Sequence, residues 1–430
     1  MRFAFGLRWG RRVSVFWMMR GAARPLSRIA VLVVGAVLLA GCADRPGADS
    51  LMATDASVPG VREHVILVAS TRARDPRPGA LYSGERSSEL SFARIDMTVP
   101  PSHRAGHVEW PKTAPGNPAT DMVVRSAVYR DTPKEFDAEL KAELAKRPPG
   151  QRKVAIFVHG YNTQFNEALY RMAQLADDSR APGVPVLFTW ASRGETTDYV
   201  YDTNSATSAR DNLEETIRLV FNSGAEKVTI LAHSMGNWVT VEALRQIKIS
   251  GNALPADKID NIILAAPDID VDVFKSQLKR FGKPAKPFIV VVSADDKALA
   301  FSRFIAGGEN RLGAYTHDEE LVQLGAVVID MTKVKAQDDF NHGKFAQLAA
   351  MAPELQAIAN SRKGSGARNN EVVVENIAFF GIDKIFPPSG AKANQAATQT
   401  AAAPKVIDVP EEGTEPPVTA ASAVSGPATP

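Results

Sequence analysis

Three side chains that together could hydrolyse an ester or an amide occur along the chain in the order serine, aspartate, histidine. Ser234 lies in the stretch Val228–Gly236, where an apolar run leads into His-Ser-Met-Gly, and Asp296 and His342 come later. A serine hydroxyl is a poor nucleophile unless a base takes its proton, and a carboxylate can hold that base in the required tautomer. We therefore interpret Ser234 as the nucleophile, His342 as the base and Asp296 as the orienting acid.

The residues around Ser234 predict a sharp turn from a strand into a helix. Ala232 and Gly236 stand two positions before and after the serine, and small residues are needed there because such a turn strains the serine backbone. The usual pattern has glycine at both positions, so Ala232 is a mild departure. The backbone N–H groups of Met235 and Tyr161 are the expected donors to the negative oxygen that forms during acyl transfer.

Several carboxylates compete with Asp296 for the role of the acid. Asp295 is its neighbour, and Asp268 and Asp270 follow an earlier predicted strand, where some lipases carry their acid. We favour Asp296 and leave the others open. A further group of polar and aromatic residues after strand ends could line a substrate pocket: His159, Asn162, Trp190, Arg193 and Tyr199. Packing within the loop is an equally good interpretation for Arg193 and Tyr199.

The elements that must position these residues alternate regularly. Six apolar runs predict strands, and the segments between them have helical spacing: Val154–Val158, Val186–Trp190, Val228–Leu231, Ile259–Leu264, Phe288–Val292 and Ala326–Asp330. Three earlier segments also predict strands: His64–Ser70, Phe92–Val99 and Met122–Tyr129. Apolar strands that alternate with helices indicate a mostly parallel sheet covered on both faces, with the ligand site at the carboxyl ends of the strands.

The chain resembles a bacterial family of α/β-hydrolases of unknown function. The resemblance covers most of residues 61–362, and six segments carry it: Phe157–Asn162, Thr189–Gly194, Tyr199–Asp202, Ala232–Gly236, Leu264–Asp270 and Ser293–Leu299. It implies the α/β-hydrolase fold and serine hydrolase activity, and it supplies no substrate. Many members of that fold insert a lid domain where this chain has only Asp268–Lys286, so no large lid is expected.

The two ends of the chain differ in composition from its middle. Residues 1–41 hold seven Arg and no acidic residue, and an apolar run then leads to Leu-Ala-Gly-Cys42, which resembles the signal peptide of a bacterial lipoprotein. An uncleaved N-terminal anchor is the alternative. Residues 42–60 are expected to form a flexible tether, 61–386 the hydrolase domain with its core at about 150–362, and 387–430, rich in Ala, Pro and Thr, a disordered tail.

Charge and cysteine content restrict the possible functions. Residues 42–430 hold 43 basic against 48 acidic residues, a net charge of −5, so a nucleic-acid partner is not expected. Cys42 is the only cysteine, which excludes a disulfide within the chain and a metal site built on cysteines. We expect no cofactor and no metal.

The sequence thus predicts a serine hydrolase anchored by lipid in the bacterial cell envelope, with Cys42 carrying the lipid. It would cleave a small-molecule or lipid ester through an acyl-enzyme. An amidase or peptidase with the same three residues is the alternative among enzymes, and a non-catalytic scaffold is the alternative outside them.

Overall fold

Ten β-strands form one sheet in the residues that this computed structural model describes, which are 45–181, 183–282, 286–315, 318–323, 325–347 and 371–373. In chain order they are β1 Arg62–Asp75, β2 Leu81–Val99, β3 Val123–Arg130, β4 Lys153–Val158, β5 Gly183–Thr189, β6 Lys227–His233, β7 Ile259–Ala265, β8 Phe288–Val292, β9 Ala326–Asp330 and β10 Glu371–Val373. The nine strands that the sequence predicts are confirmed, and β10 was not predicted.

The sheet is mostly parallel. Its spatial order is β10-β9-β8-β7-β6-β4-β5-β1-β2-β3, and every pair is parallel except β1 with β2 and β2 with β3. The central strands are apolar on both sides because helices cover both faces of the sheet; in β5, six of the seven residues are buried. The parallel order brings the carboxyl ends of β4, β6, β7, β8 and β9 to one edge.

Seven α-helices connect or cover the described strands. They are α1 Pro133–Ala145, α2 Phe165–Ser179, α3 Tyr199–Asn222, α4 Gly236–Ile249, α5 Val271–Phe281, α6 Lys297–Ile305 and α7 Asp318–Gln323. Apolar residues of α1, α3, α4 and α5 pack on one face of the sheet, and those of α2 pack on the other. The predicted two-sided α/β architecture is confirmed. Between β7 and β8 the structure has only α5, as expected for a fold without a large lid.

Residues 45–56 pack against the domain, where the sequence led us to expect a flexible tether. Leu51 is 2% exposed and belongs to the same core cluster as α2. The Tyr170 hydroxyl donates to the Ser50 carbonyl at 2.8 Å, and the Asn166 side-chain amide donates to the Ser50 hydroxyl at 3.0 Å. The tether expectation is wrong for this stretch because its apolar and polar groups find partners on α2.

Several predictions for the ends of the chain lie outside the described residues. These are the signal peptide at 1–41, Cys42 itself and the tail at 387–430. Within the described ranges, no helix combines the length and the apolar character that crossing a bilayer requires.

His103 connects the segment before β3 to α2 through two carboxylates. Its Nδ1 lies 2.6 Å from Glu109 Oε2, and its Nε2 lies 3.0 Å from Asp178 Oδ1. Both ring nitrogens can donate to carboxylates only in the protonated imidazolium. Burial lowers the pKa of His103, but the hydrogen bonds to Asp178 and Glu109 outweigh burial and raise that pKa to about 9.

This histidine should make the stability of the domain depend on pH. Its pKa is about 6.5 in an unfolded chain, so its contribution is complete below that pH and is lost as the pH rises through the folded value near 9. We expect the free energy of unfolding to fall by on the order of 2 kcal/mol over this interval, and His103→Gln to remove most of the fall. Urea unfolding at the two ends of the interval measures it.

The matched control for this measurement is His107→Gln. Burial lowers the pKa of His107, so this imidazole does not contribute to the fall in stability that is expected of His103 over the interval. The control should keep the pH dependence of the wild type. Equal slopes for the wild type and His103→Gln would contradict the assignment.

Candidate active site

Ser234 stands in the sharp turn that its surroundings predict, between β6 and α4. Its φ is +53°, a left-handed conformation that costs energy for any residue with a side chain. Its N–H donates to the Ala265 carbonyl at 3.0 Å, and its carbonyl accepts from the Asp268 N–H at 3.2 Å. A Cβ on Gly236 would lie 2.3 Å from the His159 carbonyl oxygen, which explains why only glycine fits two positions after the serine.

His342 lies in the loop after β9, and Asp296 holds its ring. His342 Nδ1 is 2.7 Å from Asp296 Oδ2, and the Asp296 side chain is fully buried. The other oxygen of Asp296 accepts from the Leu299 N–H at 2.9 Å and caps the first turn of α6. One carboxylate is therefore fixed by a helix terminus on one side and orients the imidazole on the other.

The other three carboxylates considered for the acid have different partners. Asp268 is buried and accepts from the Ser302 hydroxyl at 2.6 Å. Asp270 caps α5, accepting from the Asp272 and Val273 N–H groups at 3.0 Å. Asp295 pairs with Lys344 at 2.7 Å. Of the four, Asp296 is the one whose side chain hydrogen bonds to His342 in the described part of the chain.

Burial and charge act in opposite directions on His342. Burial lowers its pKa, but the hydrogen bond and charge of Asp296, with smaller contributions from Asp268 and Asp338, raise the pKa above the ordinary value. Asp296 accepts at Nδ1, so Nδ1 carries the proton of the neutral ring and Nε2 is left as an acceptor. This is the tautomer that a base for a serine hydroxyl needs.

The other contacts of His342 come from its neighbours in the fold. Its ring lies 4.5 Å from that of His233, the residue before Ser234, and His233 stacks in turn on Phe345 at 3.9 Å. Among the described residues, the hydrogen bonds of His342 go to Asp296, Asp338 and His233, and none goes to Ser234. In a free enzyme this bond is often long and shortens when the substrate binds.

His233 is a positioning residue. Burial lowers its pKa well below the ordinary value, and the nearby charge of His342 lowers it further. Its Nε2 lies 3.3 Å from the His342 carbonyl oxygen, so the neutral ring carries a proton there and donates it. It therefore supports the backbone and ring of His342.

Two backbone N–H groups near Ser234 are free of protein acceptors in the described part of the chain: those of Tyr161 and Met235. Met235 directly precedes α4, whose N-terminus adds positive potential. A Cβ on Gly160 would lie 2.7 Å from Ser234 Cβ, so the loop that carries Tyr161 is tight against the serine. Both N–H groups are thus available as hydrogen-bond donors.

Two of the residues expected to line the pocket, His159 and Trp190, are instead buried. They are 1% and 0% exposed, and their rings stack at 5.1 Å. Burial and the charge of Arg72 lower the pKa of His159 to about 3. The Trp190 indole N–H donates to the His159 carbonyl at 2.9 Å. The pocket prediction is wrong for both, because ring stacking and hydrogen bonds hold these side chains in the protein interior.

The remaining three pocket candidates have separate surroundings. Tyr199 lies in edge-to-face contact with Tyr161 at 5.1 Å, beside the candidate site. The Asn162 side chain accepts from Arg45 at 2.9 Å. Arg193 pairs with Glu85 at 3.0 Å and covers the ring of Tyr201, 3.6 Å from its centre. Tyr199 thus stays a prediction as a pocket residue, and Arg193 packs within the loop.

Sequence analysis missed two buried charges that fix the loop carrying Tyr161. The Arg72 guanidinium is 1% exposed; it donates to the Thr163 and Ser192 carbonyls and lies 3.3 Å from His159 Nε2. Asp202 accepts from the Asn162 N–H at 3.1 Å and from the Ser192 hydroxyl at 2.5 Å. For Arg72, the available signal was an arginine shortly after the apolar run Val65–Ala69 of β1.

A possible metal site lies on another part of the surface. Within the described residues, His103, Asp177 and Asp178 bring three ligand atoms together. Asp177 already accepts from Arg62 at 2.7 Å, and His103 bridges Asp178 and Glu109. These hydrogen bonds occupy the ligand atoms without an ion.

Comparison with known families covers the part of the chain that holds these residues. No curated protein matches the chain. The family model described as "alpha/beta hydrolase of unknown function" (DUF900) matches residues 132–362, which include Ser234, Asp296 and His342. This range is more than half of the chain, and the mostly parallel sheet with helices on both faces agrees with it. The chain belongs to this family of α/β-hydrolases of unknown function.

Proposed function

We propose that the protein is a serine hydrolase that cleaves carboxylic esters, with Ser234, His342 and Asp296 as its catalytic triad. The observation that carries the proposal is the 2.7 Å hydrogen bond from His342 to the buried Asp296, next to a serine held at positive φ between a strand and a helix. A structural histidine would not need the tautomer that this bond imposes. The left-handed backbone of Ser234 also costs energy, and such strain is concentrated at functional sites.

The reaction follows from the proton positions. Nε2 of His342 takes the proton of Ser234 as its Oγ attacks the ester carbonyl, and Asp296 stabilises the imidazolium. His342 then protonates the leaving alcohol, and an acyl-enzyme remains. Water, activated by the same imidazole, attacks this ester, releases the acid and restores the serine.

The negative oxygen of each tetrahedral intermediate would be bound by the backbone N–H groups of Tyr161 and Met235. Loss of one such donor typically lowers the rate by about 10²–10³. Backbone donors cannot be removed by a side-chain substitution, so the loop held by Arg72 and Asp202 sets how well the hole is formed.

A fluorophosphonate probe tests the proposal directly, because it phosphonylates a serine, with loss of fluoride, only when that serine is activated as a nucleophile. We expect covalent labelling of the wild-type protein at Ser234, read by mass spectrometry of the peptide, and no labelling of Ser234→Ala. A folded wild-type protein that stays unlabelled would favour the non-catalytic scaffold.

We further propose that Cys42 carries lipid and anchors the enzyme in the cell envelope. The supporting observation is the Leu-Ala-Gly-Cys42 sequence after an arginine-rich segment and a short apolar run. One acyl chain binds membranes only marginally, so stable anchoring takes two or more. Mass spectrometry of the first peptide of the mature protein should show an acylated Cys42. An unmodified Cys42, or a first residue elsewhere, would refute the anchor.

A further inference from the structure

Exposed apolar side chains are concentrated around the candidate active site. Eight large hydrophobic side chains are exposed in the described part of the chain, and five of them belong to segments that follow the carboxyl ends of β5, β8 and β9. We call these five the apolar rim: Val200, Phe301, Phe304, Ile305 and Phe340. Single exposed hydrophobic residues are ordinary, but a cluster of them marks a contact surface.

Hydrogen bonds bring the segments of the apolar rim together. The Phe340 carbonyl accepts from the Lys297 N–H at 2.9 Å, which joins the loop before His342 to the start of α6. The Tyr199 hydroxyl, next to Val200, lies 3.0 Å from the Ser302 hydroxyl on α6. The rim therefore lies in one region, beside the histidine and the tyrosine of the candidate site.

Helix α6 divides cleanly into an inner and an outer face. Leu299 and Ser302 are 1% and 5% exposed, whereas Phe304 is 82% exposed and Phe301 is 48% exposed. Phenylalanine at such exposure is unfavourable in water, since burying one ring is worth roughly 1.5–3 kcal/mol. The outer face of α6 thus has the composition of a surface that something else covers.

The path of the N-terminal segment indicates what covers it. Arg45, the first described residue, donates to the Asn162 side chain and to the Gly194 carbonyl, in the loops after β4 and β5. Asn162 follows Tyr161, whose ring contacts Tyr199 at 5.1 Å. The chain therefore leaves the described domain at the edge of the sheet that carries the apolar rim.

This exit point fixes where a lipid on Cys42 would enter a membrane. Two residues separate Cys42 from Arg45, and the three peptide steps between them span roughly 10 Å when extended. An acyl group on Cys42 therefore holds the edge with the candidate site close to the bilayer, and the apolar rim is the exposed hydrophobic surface at that edge.

We propose that the apolar rim docks on the lipid bilayer, so that Ser234 faces the membrane and its substrate is a long-chain ester drawn from the lipid. The inference rests on the proposed ester hydrolysis and names its substrate class. Water cleaves the acyl–oxygen bond, giving a fatty acid and an alcohol. Docking also removes water from the phenylalanine rings of α6, and this supplies the binding energy.

Docking is measured without catalysis by placing a polarity-sensitive fluorophore on the rim. Cys42 is the only cysteine, so Phe304→Cys adds one labelling site to the full-length protein, and the wild type gives the background at Cys42. The protein is reconstituted in vesicles of phosphatidylethanolamine and phosphatidylglycerol. We expect the emission of the probe at position 304 to shift to the blue relative to the emission of the free dye in buffer.

The matched control is Ile249→Cys, which carries the probe on an equally apolar, 44% exposed residue at the end of α4, on the opposite edge of the sheet. Its emission should remain that of a probe in water. Equal emission from the two positions overturns the proposal. A blue shift at position 304 that appears only when another protein is added, and not with vesicles alone, overturns it as well.

Ester turnover provides a second test of docking. In the same vesicles, Phe301→Ser combined with Phe304→Ser should lower the ratio of long-chain ester hydrolysis to soluble short-chain ester hydrolysis by at least about tenfold, whereas Ile249→Ser should leave it unchanged. An unchanged ratio in the double variant refutes docking. Absence of soluble-ester turnover in the wild type, with the fluorophore shift intact, refutes the proposed activity alone.

Discussion

Replacing Ser234 with alanine is expected to lower ester hydrolysis by about 10⁴–10⁶-fold while the domain stays folded. In the proposed mechanism the hydroxyl oxygen forms the covalent bond to the acyl group, so no neighbouring group can replace it. The residual rate over water would come from the backbone donors and from substrate binding. Steady-state kinetics on a soluble short-chain ester, with circular dichroism and thermal unfolding as folding checks, gives the result.

The fold should tolerate this change because the backbone of Ser234 makes the structural contacts. Its N–H and carbonyl are bonded to Ala265 and Asp268, and alanine keeps both bonds. Ser205→Ala is the matched control, since the Ser205 hydroxyl is buried and has no hydrogen-bond partner in the described part of the chain. It should retain full activity. Equal rates for Ser234→Ala and the wild type would remove Ser234 from the mechanism.

Replacing Asp296 with asparagine is expected to lower kcat by about 10⁴-fold. Asparagine can still cap α6, but its amide can donate to Nδ1 of His342 and so favour the tautomer with the proton on Nε2, which cannot accept from Ser234. A structural role alone would not predict so large a loss at unchanged thermal stability.

The same variant should shift the pH dependence. If His342 is the base, activity should rise with pH as its ring loses a proton, because only the neutral ring can accept the proton of Ser234. Asp296 raises the pKa of His342, so the wild-type profile should have its acid limb above the ordinary histidine value. Removing the charge lowers this pKa, and the acid limb of Asp296→Asn should move to lower pH. A profile of kcat/KM against pH measures the shift.

Two further substitutions separate Asp296 from its competitors. Asp295→Asn changes the adjacent residue, whose carboxylate pairs with Lys344, and should cost little. Asp268→Asn keeps a hydrogen bond to Ser302 and should cost much less than Asp296→Asn. A severe loss in Asp268→Asn together with a nearly silent Asp296→Asn would identify Asp268 as the acid instead.

Local sequence pattern determined the secondary-structure elements and the order of the candidate catalytic residues along the chain. Apolar runs alternating with helical spacing predicted six of the ten described strands, because burial on both faces leaves a continuous apolar segment in the sequence, and three earlier segments predicted three more. The sharp turn at Ser234 could also be predicted from the sequence, since the steric limits at Ala232 and Gly236 act within a few residues. The positions of His342 and Asp296 after later strands made them candidates for the base and the acid. Four carboxylates remained possible for the acid.

Tertiary structure decided which of these candidates meet. Asp296 and His342 are 46 residues apart in the chain and form a hydrogen bond, while Asp268 turns to Ser302. Burial of His159 and Trp190, and the hold of Arg72 on the loop beside them, likewise depend on contacts between loops distant in sequence. Such contacts leave no periodicity, so the sequence cannot rank them.

The sequence by itself therefore determined the family and the fold class of this protein, and it indicated a serine, an aspartate and a histidine as candidates for the proposed chemistry. Only the tertiary structure showed that residues 45–56 pack on α2 and that Arg45 reaches the loops beside the candidate site. A short polar segment with one buried leucine has the composition of a linker, and its order arises from hydrogen bonds to side chains more than a hundred residues away. The acid that orients His342 was decided in the same way, by proximity in space.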